Sequence, residues 1–429
     1  MSHLNLSKKI KWKRITIYFF LSFFILFTLP YFLQSERKFE LDKSRVRPGN
    51  ENFLKSFPLE LHNKRLGLVI NHTSVLPDGK HLVKSLLNKE VAVNAIFSPE
   101  HGFQGIKEGG IEVEDSRFES IKIYSLYGKI RKPTEEQMRD IDAFVYDIQD
   151  VGTRFYTYIT TLKLIIEAAE DANIPVYILD RPNPVGGMIV EGYLLQPEYE
   201  SFIGACPIPV RYGLTVGELA LMMRGEGWVP RNADIHVIKM SNWKRNYFWK
   251  DTGLPWIPPS PNIPTRETAV IYPGTGLLGA LRINQGVGTS YPFLQIGAPW
   301  MDAEAVVHAV DWERKYSVKL EPLSFTPHSV PGKVLHPSYE NKVCRGIRVH
   351  IIKEEKFHSL RFSLEIIKIL KEKYKDRIHL YSEGMNLMFG NDLLSKYIND
   401  KVSYHDLLEN MRKDERLFLK KRKKYLMYD

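Results

Sequence analysis

Short apolar runs recur along the chain, separated by stretches with helical spacing. Leu66–Asn71, Val91–Phe97, Ile121–Ser125, Ala143–Asp147, Val176–Asp180 and Ile235–Met240 predict β-strands. His81–Leu87 and Tyr156–Asn173 carry helical periodicity. Thr134-x-x-Gln137 and Thr215-x-x-Glu218 have capping-box form, the second opening a helix to about Arg224. Strand and helix alternate, which argues for βαβ units in an α/β fold: a Rossmann-like, doubly wound, mostly parallel sheet. Pro255–Pro264 holds five prolines and cannot be a helix interior or a central strand, so it marks a domain junction or a rigid cleft wall. Beyond it come a glycine-rich segment, Gly274–Thr289, then a strand at Ile347–Ile352 and a helix at Leu360–Tyr374.

At 429 residues the chain suggests two domains. We expect a catalytic domain over 53–262 and a smaller α+β auxiliary domain over 263–429. Residues 35–52, charged and with Pro48-Gly49, predict a linker. Ile15–Leu33 is almost wholly apolar and follows a basic segment, so residues 1–34 predict a membrane anchor or a signal peptide. The positive flank would stay in the cytoplasm and place the body outside, anchored in the cell envelope or secreted. Net charge is +10, but the excess gathers before residue 15 and at Lys420–Lys424, so no nucleic-acid footprint is indicated. Cys206 and Cys344 could pair in an exported protein or remain two buried thiols.

Candidate chemistry lies where the predicted strands end, because open α/β sheets bind ligands there. Glu100-His101 follows the second strand. A partly desolvated carboxylic acid at such a position can protonate a leaving oxygen, and the imidazole can orient it. Asp147 and Asp150 follow Ala143–Tyr146 and are the other catalytic candidates. Arg154 offers bidentate contacts to a carboxylate, and Tyr156 stands beside it. The same aspartates could instead cap the next helix, and Arg154 could simply pair with Asp150. Asp180, Arg181 and Asn183 end the next strand. Asn71 ends the first. Arg211, Tyr212, Trp256 and Asn262 complete the candidate sugar contacts, with an indole face suited to a sugar ring. No dinucleotide or Walker loop, serine-hydrolase elbow or zinc spacing is present, so no metal or organic cofactor is expected.

Several segments in order carry a resemblance: Phe97–Phe103, Tyr124–Gly128, Tyr146–Tyr158, Leu179–Pro184, Arg211–Thr215 and Pro258–Asn262. From about Asn52 onward the chain resembles the exo-β-N-acetylmuramidase family. The resemblance implies a Rossmann-like N-terminal domain, a smaller C-terminal one, and release of N-acetylmuramic acid from the non-reducing ends of peptidoglycan fragments. The implied partners are muropeptides or their disaccharides. One segment departs. Where the family reads Glu-Gly-Thr-Asn-x-Ser-Glu-Gly-Arg-Gly-Thr, this chain has Gly279–Thr289, with Gly279, Gln285 and Val287 replacing two acids and an arginine. Arg282 stands near enough to substitute for that arginine. The departure leaves two alternatives: a non-catalytic glycan-binding protein, or an exo-hexosaminidase with altered sugar preference.

Overall fold

A computed structural model describes residues 44–429. The basic segment and the candidate span Ile15–Leu33 lie outside the described residues. Among the described residues no helix is long and apolar enough to cross a membrane.

The six predicted strands and an unexpected one, β3 Ser116–Phe118, form one seven-stranded sheet: β1 Leu66–Ile70, β2 Val93–Ser98, β3, β4 Ile121–Ser125, β5 Ala143–Asp147, β6 Val176–Leu179 and β7 Ile235–Ile238. Their order is β3-β4-β2-β1-β5-β6-β7. All neighbours pair in parallel except β3 with β4. The chain builds outward from β1 on one side, then returns to place β5 on the other. That reversal makes the β1/β5 junction the topological switch point, where a crevice opens at the strands' C-terminal ends.

The apolar runs are continuous because both sheet faces are covered. On β5, Ala143 and Val145 face one core while Phe144 and Tyr146 face the other. On β6, Tyr177 and Leu179 divide from Val176 and Ile178 in the same way.

Helices α1 Gly49–Lys55, α2 Leu82–Leu87, α3 Glu135–Met138, α4 Tyr158–Asp171 and α5 Val216–Glu226 flank the strands. Both capping boxes form, at Thr134/Gln137 and Thr215/Glu218. Helix α1 begins inside the stretch expected to be linker. Gly49 is why it docks: a Cβ there would lie 2.4 Å from the Asp180 backbone nitrogen, so only glycine permits the approach. Helix α4 starts two residues later than expected, because Arg154–Thr157 is spent on a turn.

The C-terminal part carries a three-stranded antiparallel sheet, β8 Gln295–Ala298, β9 Val318–Phe325 and β10 Cys344–Ile351, in the order β8-β10-β9. Helices α6 Arg266–Thr275, α7 Ser359–Tyr374 and α8 Tyr404–Arg422 belong to the same part, α7 packing against α6. Phe362, Phe389 and Phe418 join the same apolar core as Phe97 and Tyr146, so the two parts share a continuous interior. Cys206 and Cys344 are free and buried. Burial pushes their thiols up to about 12 and about 11.

Candidate active site

The turn after β2 presents Glu100. His101 and Gly102 both adopt left-handed backbone, with φ of 69° and 75°, an uncommon conformation for a residue with a side chain. Glu100 is 9% exposed. Its Oε1 accepts from the Gly110 backbone nitrogen at 2.8 Å, and its Oε2 accepts from the Thr157 hydroxyl at 2.6 Å. Thr157 immediately precedes α4, so that helix positions the carboxyl. Tyr127 closes another side. Its phenol is held above its usual range by burial and by the Glu100 charge.

His101 is also buried. Its Nδ1 lies 2.7 Å from the Lys107 carbonyl. A carbonyl only accepts, so Nδ1 carries the proton and Nε2 presents a lone pair. Burial lowers the imidazole's basicity, which favours that neutral form.

Asp150 is the second acidic group. Its Oδ2 accepts from the Gly152 nitrogen at 2.6 Å and from the Tyr212 hydroxyl. Its Oδ1 is buried and has no partner. Burial pushes the carboxyl up to about 6, and the hydrogen bonds offset this only in part. Gly152 has φ of 76°, and a Cβ there would sit 2.3 Å from Asn183 Oδ1, so glycine fixes this turn. Glu100 and Asp150 share neighbours. Tyr158 and Tyr272 are each held above the ordinary phenol range by burial and by the negative charge of both carboxylates. The Tyr158 ring also stands edge-on to His101, at 6.5 Å. Nothing local in the sequence singles out Tyr272, and Tyr127, Thr157 and Tyr158 were legible only as members of longer motifs.

The proline-rich segment roofs these strand ends. Tyr158 donates to the Pro259 carbonyl at 2.8 Å, and His72 Nε2 lies 2.7 Å from the Pro258 carbonyl. Asn71 reaches the site indirectly, donating to the Tyr158 hydroxyl at 3.1 Å while its Oδ1 accepts from Thr73. The Tyr156 ring packs 4.7 Å from that of Tyr158. Trp256 is half-buried and edge-on to Trp249 at 5.1 Å, with its indole nitrogen unpartnered.

Other expected site residues are bonded within the protein. Asp147 is fully buried and its carboxylate is occupied: Arg181 holds it at 2.5 and 2.9 Å, and Asn50 adds a bond at 3.1 Å. It is therefore not free to orient a water. Asp180 caps α5, accepting from Thr215 Oγ1, the Gly217 nitrogen and the Tyr428 hydroxyl at 2.8, 2.9 and 2.6 Å. Asn183 binds the Leu214 carbonyl and the Val185 nitrogen, closing its own turn.

Among the described residues Arg154 forms no ion pair with a carboxylate. It is fully buried, and its guanidinium donates to the carbonyls of Tyr193, Ile208 and Met388 at 2.7, 2.5 and 3.0 Å. Desolvation lowers it to about 9. Arg211 is equally buried, bonded to the Phe357 and Val185 carbonyls and 3.6 Å from Glu191. Asn262 bonds the Lys333 carbonyl at 2.9 Å, tying the roof to the C-terminal part. Arg282 is exposed, in left-handed backbone after the 3₁₀ turn Gly276–Leu281, and among the described residues it contributes no hydrogen bond to Glu100 or Asp150. Gly279 faces Gln285, whose amide nitrogen would lie 2.8 Å from a Cβ there, so two of the family's altered positions touch. Among the described residues no three His, Cys, Asp or Glu side chains gather as metal ligands would.

Comparison with known proteins identifies the family. Residues 66–267 match the family described as exo-beta-N-acetylmuramidase NamZ, N-terminal, and residues 270–428 match its C-terminal counterpart. The peptidoglycan beta-N-acetylmuramidase NamZ of Bacillus subtilis is 37% identical over 390 residues, 90% of this chain and 92% of that one. Two crystal structures of DUF1343 family proteins from Bacteroides fragilis are each 33% identical and cover 90% of this chain. Their TM-scores are 0.83 and 0.73, with 100% and 99% of their own chains covered. With both family regions matched in order across nearly all the described residues, the chain belongs to the exo-β-N-acetylmuramidase family of glycosidases.

Proposed function

We propose that this protein releases N-acetylmuramic acid from the non-reducing ends of peptidoglycan fragments, with Glu100 as proton donor to the glycosidic oxygen. The observation that carries this is that Glu100, held by Gly110 and Thr157, and Asp150, held by Gly152 and Tyr212, are both buried in the turns after the C-terminal ends of β2 and β5, the parallel strands on either side of β1. Glycosidic cleavage needs one group that delivers a proton and one that faces the developing positive charge. Glu100 sits in an oriented, mostly desolvated turn beside a neutral imidazole. Asp150 keeps one carboxylate oxygen unpaired, and we assign it the charge-stabilising role. The relative from Bacillus subtilis carries the same activity in its name.

The proposal includes export of the catalytic body, because its polymer lies outside the cytoplasm and Ile15–Leu33 has the composition of an anchor.

Glu100→Gln tests the assignment. It preserves shape and the acceptor oxygen, and it should lower release of N-acetylmuramic acid from a chromogenic muramide by about 10²–10⁴-fold. Normal turnover in that variant would remove Glu100 from the mechanism. A second reading is favoured by Gly279, Gln285 and Val287, where neutral residues stand in place of the family's two acids and arginine: a hexosaminidase that tolerates sugars lacking the lactyl group. Assaying an N-acetylglucosaminide beside the muramide separates the two.

A further inference from the structure

We propose that Glu108 is a positioning residue for the proton donor: by holding the C-terminal part it fixes the stretch Lys107–Gly110, which clasps Glu100 and His101. The inference rests on the muramidase reading above.

This short stretch meets both groups. The Lys107 carbonyl lies 2.7 Å from His101 Nδ1, and the Gly110 nitrogen donates to Glu100 Oε1 at 2.8 Å. Between them, a Cβ on Gly109 would stand 3.5 Å from His101 Cε1 and 3.6 Å from Glu100 Oε1, so the backbone passes against both side chains. Such a clasp is only as firm as its own backbone. Gly110 is in left-handed backbone with φ of 82°, and nothing lies within 4 Å of where its Cβ would be. Holding two adjacent glycines in one conformation is entropically costly. The clasp therefore needs an anchor from outside.

Glu108 provides it. The residue is half-buried, and its Oε1 accepts from the Leu335 backbone nitrogen at 2.9 Å, across 227 positions of chain. Leu335 follows a tight turn closed by reciprocal Val330 and Val334 backbone bonds of 2.7 and 3.0 Å. That turn is itself braced. Asn262 of the proline roof donates to the Lys333 carbonyl at 2.9 Å. A Cβ on Gly332 would stand 3.1 Å from the Ile106 carbonyl oxygen, so the turn meets the loop at a second place. A carboxylate suits the anchor, because its bond to a backbone N–H is charge-assisted. Among the described residues Glu108 makes no hydrogen bond to Glu100, His101 or Asp150, so it acts on them through two residues of backbone.

The consequence falls on proton delivery. With the clasp loosened, Glu100 keeps its bond from Thr157 but loses the one that aims its other oxygen. A sugar alkoxide leaves poorly and needs the proton, whereas a nitrophenoxide departs with little help.

The experiment measures kcat and KM of the full-length protein on two substrates: N-acetylmuramic acid linked to N-acetylglucosamine, and nitrophenyl N-acetylmuramide. Glu108→Ala should lower kcat on the disaccharide about 10-fold with KM nearly unchanged. On the nitrophenyl substrate kcat should fall less than about 3-fold. Glu108→Gln keeps an acceptor for the Leu335 nitrogen and should restore most of kcat on the disaccharide. Urea midpoints of both variants should match the native protein. Equal losses on the two substrates, native kcat in Glu108→Ala, or no rescue by glutamine would overturn the assignment while the muramidase reading stands. A lowered midpoint would do the same by reassigning Glu108 to the fold. A native protein that releases no sugar from either substrate would overturn both.

Discussion

Asp150→Asn separates the energetic burden of this site from its use. In the native protein the carboxyl is moved from 3.8 to about 6, chiefly by burial. The charged form is therefore disfavoured in the fold relative to the unfolded chain, by about 3 kcal/mol. The sign follows. Between roughly pH 4 and 6 the folded state binds the proton that the unfolded state has released. Stability therefore falls as pH rises through that window, and the full penalty is felt above it. Asparagine has no charge to desolvate and can still accept from Gly152 and Tyr212 through its carbonyl oxygen. Its stability relative to native should improve by about 3 kcal/mol between pH 4 and pH 8, read from urea unfolding at each pH. Turnover should meanwhile collapse, since the group facing the developing positive charge has lost its own. A stability difference independent of pH would refute the burial argument, and a variant that retains native turnover would refute the catalytic role.

Four further outcomes are expected. Thr157→Val should cut kcat about 10-fold with little change in KM, because it frees the Glu100 oxygen held at 2.6 Å; Thr157→Ser should restore it, and equal loss in both would mean a packing role. Arg154→Met leaves the Tyr193, Ile208 and Met388 carbonyls without their donor and should cost about 3–5 kcal/mol in chemical unfolding; a cost under about 1 kcal/mol would disprove the strut. Asp147→Asn breaks a buried ion pair and should cost about 3–5 kcal/mol by leaving Arg181 uncompensated, with a near-neutral result refuting the pair's structural role. Reductant should leave the melting temperature unchanged, as Cys206 and Cys344 are separate buried thiols, whereas a drop would reveal a bridge.

The sheet was legible because its cause is local. Six of the seven strands are apolar runs long enough to be read alone, whereas β3, with Ser116 and Arg117 exposed, is not, and both capping boxes are four-residue signatures. The position of Glu100 was legible for the same reason, as a carboxylate that directly follows such a run. The roles of the arginines were not. Arg154 reaches Met388, 234 positions along the chain, and a sequence cannot distinguish a guanidinium that grips backbone carbonyls from one that grips a ligand. Asp147 and Asp150 illustrate the limit most sharply. They lie three residues apart in one motif, yet one is neutralised by Arg181 and the other keeps a bare oxygen. What separates them is the strand's end at Asp147 and the left-handed Gly152 beyond it, which turn the two carboxylates toward different surroundings.

That difference explains why so many charged groups at these strand ends are not themselves the site. Asp147 with Arg181, Asp180 with Thr215 and Tyr428, and Glu218 with Arg245 are largely satisfied within the protein. Pairing of that kind rigidifies the strand ends and the roof resting on them. Against this background the unpaired atoms become informative. Gln149 Oε1, Asp150 Oδ1, His72 Nδ1 and the Trp256 indole nitrogen all lack partners, and all belong to the switch-point strand ends or to the roof above them. Folding alone gains nothing by leaving buried donors and acceptors unmade. Buried atoms without partners also occur elsewhere, as at Glu191 Oε2, Ser363 Oγ and Asn391 Nδ2, so it is the stiff, internally paired frame around Glu100 and Asp150 that most resembles a site preorganised for a polar, hydroxyl-rich ligand.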